Sequence, residues 1–340
     1  MINIDNTVRL LSSGLLLLMV SGRLLADSSI AAYYTGEFLR NSKGGIAEGS
    51  VFLADAGLSL QSTIPALLGD GPATFFGYLL WNNSNVFSER FSGDLQGVSN
   101  IDAVGATRVY EFWYEQEIRG VSLRFGLYDL NSEFDVIDSA ALFLNSSHGI
   151  GPDYSQSGQQ GPSIFPVTSL ALRLQGTLGE SGQLRYAILD GVPGDPDDAS
   201  RTTINLGGSD GALHALEYSN TAANGARFNL GGWLYSADFE RIDGVSLNGQ
   251  PVRDDGNAGI YASLETPVYS SGAFITSAFF RVGFANDNFN PVGTYLGAGL
   301  TFSGLSSRRP ADQVGIAVAH AQAGDTFKTL FTSGIDNSET

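Results

Sequence analysis

The sequence predicts an all-β protein that crosses a membrane as an antiparallel up-and-down β-barrel. Three observations predict it. Apolar and charged side chains alternate with a period of two along many segments. Short and long connections alternate between those segments. Beyond the N-terminus, no apolar run reaches the roughly 20 residues of a spanning helix. A chain with that pattern can cross lipid only as a closed sheet, because only closure satisfies every backbone group there.

The alternation is fullest around residues 93–134. Tyr110, Phe112 and Tyr114 fall on one parity, and Glu111, Trp113 and Glu115 on the other. After a tight turn at Arg119-Gly120, Val121, Leu123, Phe125 and Leu127 alternate with Ser122, Arg124, Gly126 and Tyr128. Successive side chains of a strand point to opposite faces. One face is therefore apolar and aromatic, and the other carries full charges. A soluble sandwich would bury the apolar face against a second sheet. A membrane barrel turns it to lipid and keeps the charges around water.

The elements follow in order. Strands are expected at 30–40, 46–61, 73–83, 107–117, 121–130, 169–178 and 183–191. They continue at 212–219, 226–239, 258–268, 273–285, 293–302 and 313–322. Most match the nine to eleven residues that a tilted strand needs to cross a bilayer. Leu170, Leu172 and Leu174 oppose Ser169, Arg173 and Gln175, while Leu184, Tyr186 and Ile188 oppose Gln183 and Arg185. Arg227 and Asn229 share a face with Trp233 and Tyr235. The last segment is apolar nearly throughout.

The connections at 119–120, 179–182, 221–225 and 269–272 are short, and those at 84–106, 131–168, 192–211 and 240–257 are long. Soluble domains seldom carry long loops at every second connection. Outer-membrane barrels do so as a rule, with short periplasmic turns and long external loops. Ahead of the first strand, Arg9 and the apolar run at 15–20 read as an export signal, so residues 1–26 are expected to be a cleaved leader and 27–340 the barrel domain. Thirteen strands is an odd number, whereas bacterial barrels have an even one. The barrel is therefore expected to be C-terminally incomplete in this chain.

Composition excludes several functions. The net charge of −17 leaves no basic patch for phosphates, so no nucleic-acid partner is expected. The absence of Cys removes disulfide and thiol chemistry. His148, His214 and His320 have no metal-ligand spacing, and there is no P-loop, nucleophile elbow or dinucleotide fingerprint. The expectation is no enzyme, no cofactor and no metal. The acidic stretch 190–198 reads as a solvated turn, with Ca²⁺ binding as the alternative.

The charged parity supplies the candidate site. Glu111, Glu115, Arg124, Arg173, Arg185 and Arg227 would line the water path, with Trp113 and Trp233 as aromatic partners. The longest loop, 131–168, carries Glu133, Asp135, Asp138 and His148, and is expected to fold inward as a constriction. The segment 93–103 is a second candidate for an inward fold.

Several pieces together resemble the carbohydrate-selective outer-membrane porins of the OprB type. They are Tyr34-Thr35-Gly36-Glu37 with Gly44-Gly45, the run from Gly93 to Ile101, and the run from Tyr110 to Gln116. Leu123-Arg124-Phe125-Gly126, Ser132-Glu133-Phe134, Phe143-Leu144-Asn145-Ser146-Ser147 and Asp190-Gly191 with Gly194-Asp195-Pro196 follow. Gly232-Trp233-Leu234-Tyr235, Asp238-Phe239 and the run from Tyr295 to Leu300 complete the set. The resemblance implies a sixteen-stranded barrel in the bacterial outer membrane through which glucose and similar sugars diffuse passively. It implies carbohydrate solutes and outer-membrane lipid as partners, leaves a homo-oligomer open, and implies that roughly three of the strands expected after Arg309-Pro310-Ala311-Asp312 are absent here. The alternative reading is a secreted soluble β-sandwich that binds carbohydrate or acts as an adhesin.

Overall fold

The computed structural model describes residues 28–331 apart from 70, 84, 199, 205–210 and 246–249, and adds strand backbone at 7–10, 16–22 and 338–339. In chain order the strands are β1 (Thr7–Leu10), β2 (Leu16–Gly22), β3 (Ser28–Asn41), β4 (Gly49–Pro65), β5 (Pro72–Asn82) and β6 (Ala106–Ile118). Next come β7 (Val121–Tyr128), β8 (Ser169–Leu178), β9 (Gly182–Asp190), β10 (Ala212–Thr221), β11 (Arg227–Tyr235), β12 (Phe239–Val245) and β13 (Pro251–Asp254). The series ends with β14 (Ala258–Ser271), β15 (Phe274–Ala285), β16 (Val292–Ser303), β17 (Gln313–Ala323) and β18 (Ser338–Glu339). The export signal expected over 1–26 lies outside the described residues except for the backbone of β1 and β2.

One antiparallel sheet runs in strict chain order, from β1 to β11 and on through β14 to β18. The thirteen strands β3–β11 and β14–β17 are the thirteen that the alternation marks out. Among the described residues no ladder joins the first strand to the last, so the sheet is not closed. Among the described residues no helix is long and apolar enough to cross a membrane.

The period of two sorts the side chains as expected. On β11, Phe228, Leu230 and Leu234 are exposed while Asn229, Trp233 and Tyr235 are buried. On β17 the nearly apolar sequence resolves by size. Val314, Ile316 and Val318 are exposed, and Ala319 and Ala321 are buried. The large groups form the apolar face and the small ones leave room on the other.

Two expectations need correction. Tyr110 does not share a face with Phe112. Tyr78 pairs with Glu111 but Leu79 pairs with Val109, so Tyr110 is an extra residue in β6. This β-bulge turns Tyr110 and Glu111 to the same side; Tyr110 is buried and Phe112 is exposed. The segment expected as one strand over 226–239 ends at Tyr235. Phe239–Val245 instead pairs with Pro251–Asp254 in a separate two-stranded sheet.

The chain divides into two compact units. The first comprises Met1–Asp129, Ser163–Leu174 and Pro193–Leu206; the second comprises Leu130–Pro162, Gln175–Val192 and Gly207–Thr340.

Candidate functional site

In the first unit the site grows from the β6–β7 hairpin. Glu115 and Arg124 lie directly opposite in register. Arg124 donates to Glu115 Oε2 from Nη2 at 2.7 Å and from Nε at 3.1 Å. Arg173 reaches the other oxygen, Oε1, at 2.9 Å, and donates to Ser122 Oγ at 2.7 Å. One carboxylate thus holds two guanidinium groups. Trp113 is clamped between two partners. Arg124 lies 3.9 Å above its ring, and Phe76 stacks at 4.9 Å. A cation over an indole face is a favourable contact, but it leaves Trp113 only 8% exposed. Glu111 accepts from Trp113 Nε1 at 3.1 Å and from the Asp129 N–H at 3.2 Å.

The segment after β5 folds onto this unit's polar face. Phe87 forms a small core with Val51 and Leu53, against which Leu39, Phe91, Val98 and Ile101 pack. Asp102 accepts from the Phe87 and Ser88 N–H groups, and Ser99 donates to Glu37 at 2.7 Å. Apolar burial carries this loop, with hydrogen bonds fixing its ends.

In the second unit the long loop is held by charge. Arg281 of β15, 3% exposed, spans two of its carboxylates. Its Nε and Nη2 donate to Asp135 at 2.8 and 2.6 Å, and its Nη1 donates to Asp153 at 2.7 Å. Asp135 also donates its backbone N–H to Glu217 at 2.8 Å. Glu217 takes the Tyr261 hydroxyl at 2.7 Å and Arg185 at 3.0 Å. Gly231 sits between Glu217 and Tyr261 in register. A Cβ there would strike the Tyr261 ring, so only glycine lets the phenol cross to the carboxylate.

Arg227 donates to the Val136 carbonyl at 2.9 Å and pairs with Asp138 at 3.1 Å. The backbone N–H and hydroxyl of Ser139 both donate to Glu265. Tyr154 of the loop lies flat on Trp233, 5.2 Å away at 5°. His148 packs between Phe143 and Phe279 at 5.1 and 5.7 Å. Burial holds its imidazole below the ordinary range.

The structure therefore places every expected residue. Glu115, Arg124 and Arg173 meet in one cluster, with Trp113 above it. Arg185 and Arg227 each engage the long loop; Arg185 reaches the backbone carbonyl of half-buried Glu133 at 3.4 Å. Trp233 is 3% exposed beneath Tyr154. Neither tryptophan presents a free ring face. Arg108, Glu217, Glu265 and Arg281 were missed. All four lie on the polar face, and the parity that marked Arg173 marks Glu217 and Arg281 equally. In the stretch 190–198, Asp195 and Asp198 accept from the backbone of their own turn, and Asp198 pairs with Arg201.

Comparison with known proteins gives a family and a fold. The family model described as carbohydrate-selective porin, OprB family, matches residues 83–333. No curated protein matches the chain. The high-pH structure of Pseudomonas putida OprB is similar at 18% identity and a TM-score of 0.76, over 89% of this chain and 77% of that one. The low-pH structure of the same protein is 12% identical over 89% of this chain and 72% of that one, with a TM-score of 0.42.

Proposed function

The chain belongs to the carbohydrate-selective porin family, OprB, and from that premise we propose which of its side chains govern the passage of sugar. The protein is an outer-membrane sugar porin with the OprB β-barrel fold. Family and fold are those of a transport channel and not of an enzyme, and its surroundings are sugar solutes and membrane lipid.

In our reading the polar face of the sheet borders water, and the long loop narrows the path. The observation that supports it is the anchoring of residues 130–162 by Arg281, Arg227 and Glu217 on that face. A loop tied by buried ion pairs holds a fixed opening, where an untethered one would fluctuate. Glu115, Arg124 and Arg185 supply planar forks and carboxylates for sugar hydroxyls, and Glu133 adds an acceptor. Arg173 and Glu111 are buried and act by holding Glu115 and Trp113 in place. Trp113 and Trp233 act as frame, since their rings are already covered. Passage needs no energy source and no cofactor.

Planar-bilayer recording tests this reading. The wild-type chain conducts, and added glucose or an oligosaccharide reduces the current. Arg124→Ala shifts ion preference toward cations and weakens the sugar block. Unchanged current, ion preference and block in Arg124→Ala and Glu115→Gln would remove that cluster from the water path.

A further inference from the structure

On the apolar face of the second unit, five residues stand in one row across five strands. Register places Tyr186 beside Leu216, Leu216 beside Gly232, Gly232 beside Ile260, and Ile260 beside Phe284. Four are large and the middle one has no side chain. The next row toward the long loops again narrows at Ala258, opposite Leu234. These small residues open a groove of about 1040 Å³ on the sheet's outer surface. That is at the upper end of small-molecule sites, which run about 300–1,000 Å³.

Polarity along the groove is uneven. Its walls are Leu, Ile and aromatic carbon except at the end near the 191–211 connection. There the Tyr186 hydroxyl and His214 Nδ1 share a hydrogen bond of 2.7 Å. His214 is the third residue of β10, close to the external end. The groove is therefore apolar along most of its length, with the Tyr186–His214 pair and Asn286 at its outer mouth and Tyr218 toward the short turns.

We propose that this groove seats one acyl tail of an outer-leaflet lipid, with the lipid's phosphate-bearing head beside His214 and Tyr186. The proposal rests on the outer-membrane reading above, because that reading puts this face against acyl tails. Hydrophobic transfer gives no preference for the groove over bulk lipid, since both are apolar. Retention comes from packing, as it does between helices in a membrane. A notch left unfilled loses dispersion contacts along its lining, and a flexible tail can fill it where a flat annular layer cannot. The polar pair then fixes which end is up.

Gly232 offers a clean test. A Cβ there meets its neighbours no closer than 3.4 Å, and its backbone is not in the left-handed region. The backbone thus admits a Cβ at 232, from which Gly232→Leu extends over the groove, and Ala258→Leu fills it from the next row. Native mass spectrometry of the full chain in detergent, delipidated and then titrated with dimyristoyl phosphatidylglycerol, reads the outcome. Wild type retains one lipid; both filled variants lose it; His214→Ala retains less. All variants keep wild-type conductance, so failure of the pore reading would show separately as absent current. Equal lipid retention in wild type and both variants overturns the proposal. So does a wild-type oligomer that Gly232→Leu converts to monomer without a change in bound lipid, which would make the groove a seat for a second copy.

Discussion

Arg281 is the residue on which the long loop depends most. Replacing it with Leu strands Asp135 and Asp153 without a countercharge, a change that costs about 3–5 kcal/mol when a buried pair is broken. The loop can avoid that cost only by leaving the polar face. Arg281→Leu is expected to raise single-channel conductance and its noise, and to expose residues 130–162 to protease. Gly283→Ala tests the same clamp without touching a charge, because a Cβ there would collide with the Asp153 carboxylate; a milder rise in conductance is expected. His148 adds a pH dependence of known sign. Burial lowers its folded pKa, so the unfolded loop binds the proton more tightly. Its contribution is complete above the unfolded value of about 6.5 and declines as pH falls below it. The protection factors of amides over residues 140–150, which are corrected for the intrinsic base-catalysed exchange rate, are expected to fall between pH 7.5 and 5.5, and His148→Phe to remove that change. Much of this was legible in the sequence. Arg173, Arg185 and Arg227 follow from parity alone. Parity marks Glu217 and Arg281 too, but it does not say which strand residue a distant loop will meet.

At the level of elements, β6 shows what the sequence pattern could and could not carry. Its alternation located the strand but not the bulge, because a bulge is a two-against-one mismatch with β5 and is invisible in β6 alone. Deletion of Tyr110 removes the extra residue and keeps every other side chain on its face. Deletion of Phe112 shifts the strand's register and sends charged groups toward lipid. Refolding into detergent, read by the heat-modifiable band on a gel, is expected to give near-wild-type yield for the first and little for the second. The two inward loops differ in the same sense. Residues 85–103 are fastened by Phe87, Phe91 and Ile101, and residues 130–162 by ion pairs. The opening set by the second should respond to acid more than that set by the first. The sequence marked 131–168 and 93–103 as candidates for an inward fold but not the kind of fastening, since the partners lie on strands far along the chain.

Across the described strands, one sorting rule explains the fold: large aliphatic groups and most phenylalanines on one face, charges, small residues and buried Trp and Tyr on the other. A single arginine on the apolar face near mid-strand, Leu264→Arg, is expected to lower stability by about 2–4 kcal/mol in lipid vesicles. Ser277→Arg on the polar face is expected to stay within about 0.5 kcal/mol. Urea unfolding in liposomes measures both. The sorting was readable from the alternation because each strand must satisfy it independently. The most direct test uses the absence of cysteine from the chain. Single cysteines are placed at Leu184, Phe228 and Leu264, and at their neighbours Arg185, Arg227 and Glu265, in the protein held in outer membranes. A charged, water-soluble thiosulfonate should label the second set and spare the first, while a bilayer-dissolved maleimide should do the reverse. Equal labelling of both sets by the water-soluble reagent would contradict the account.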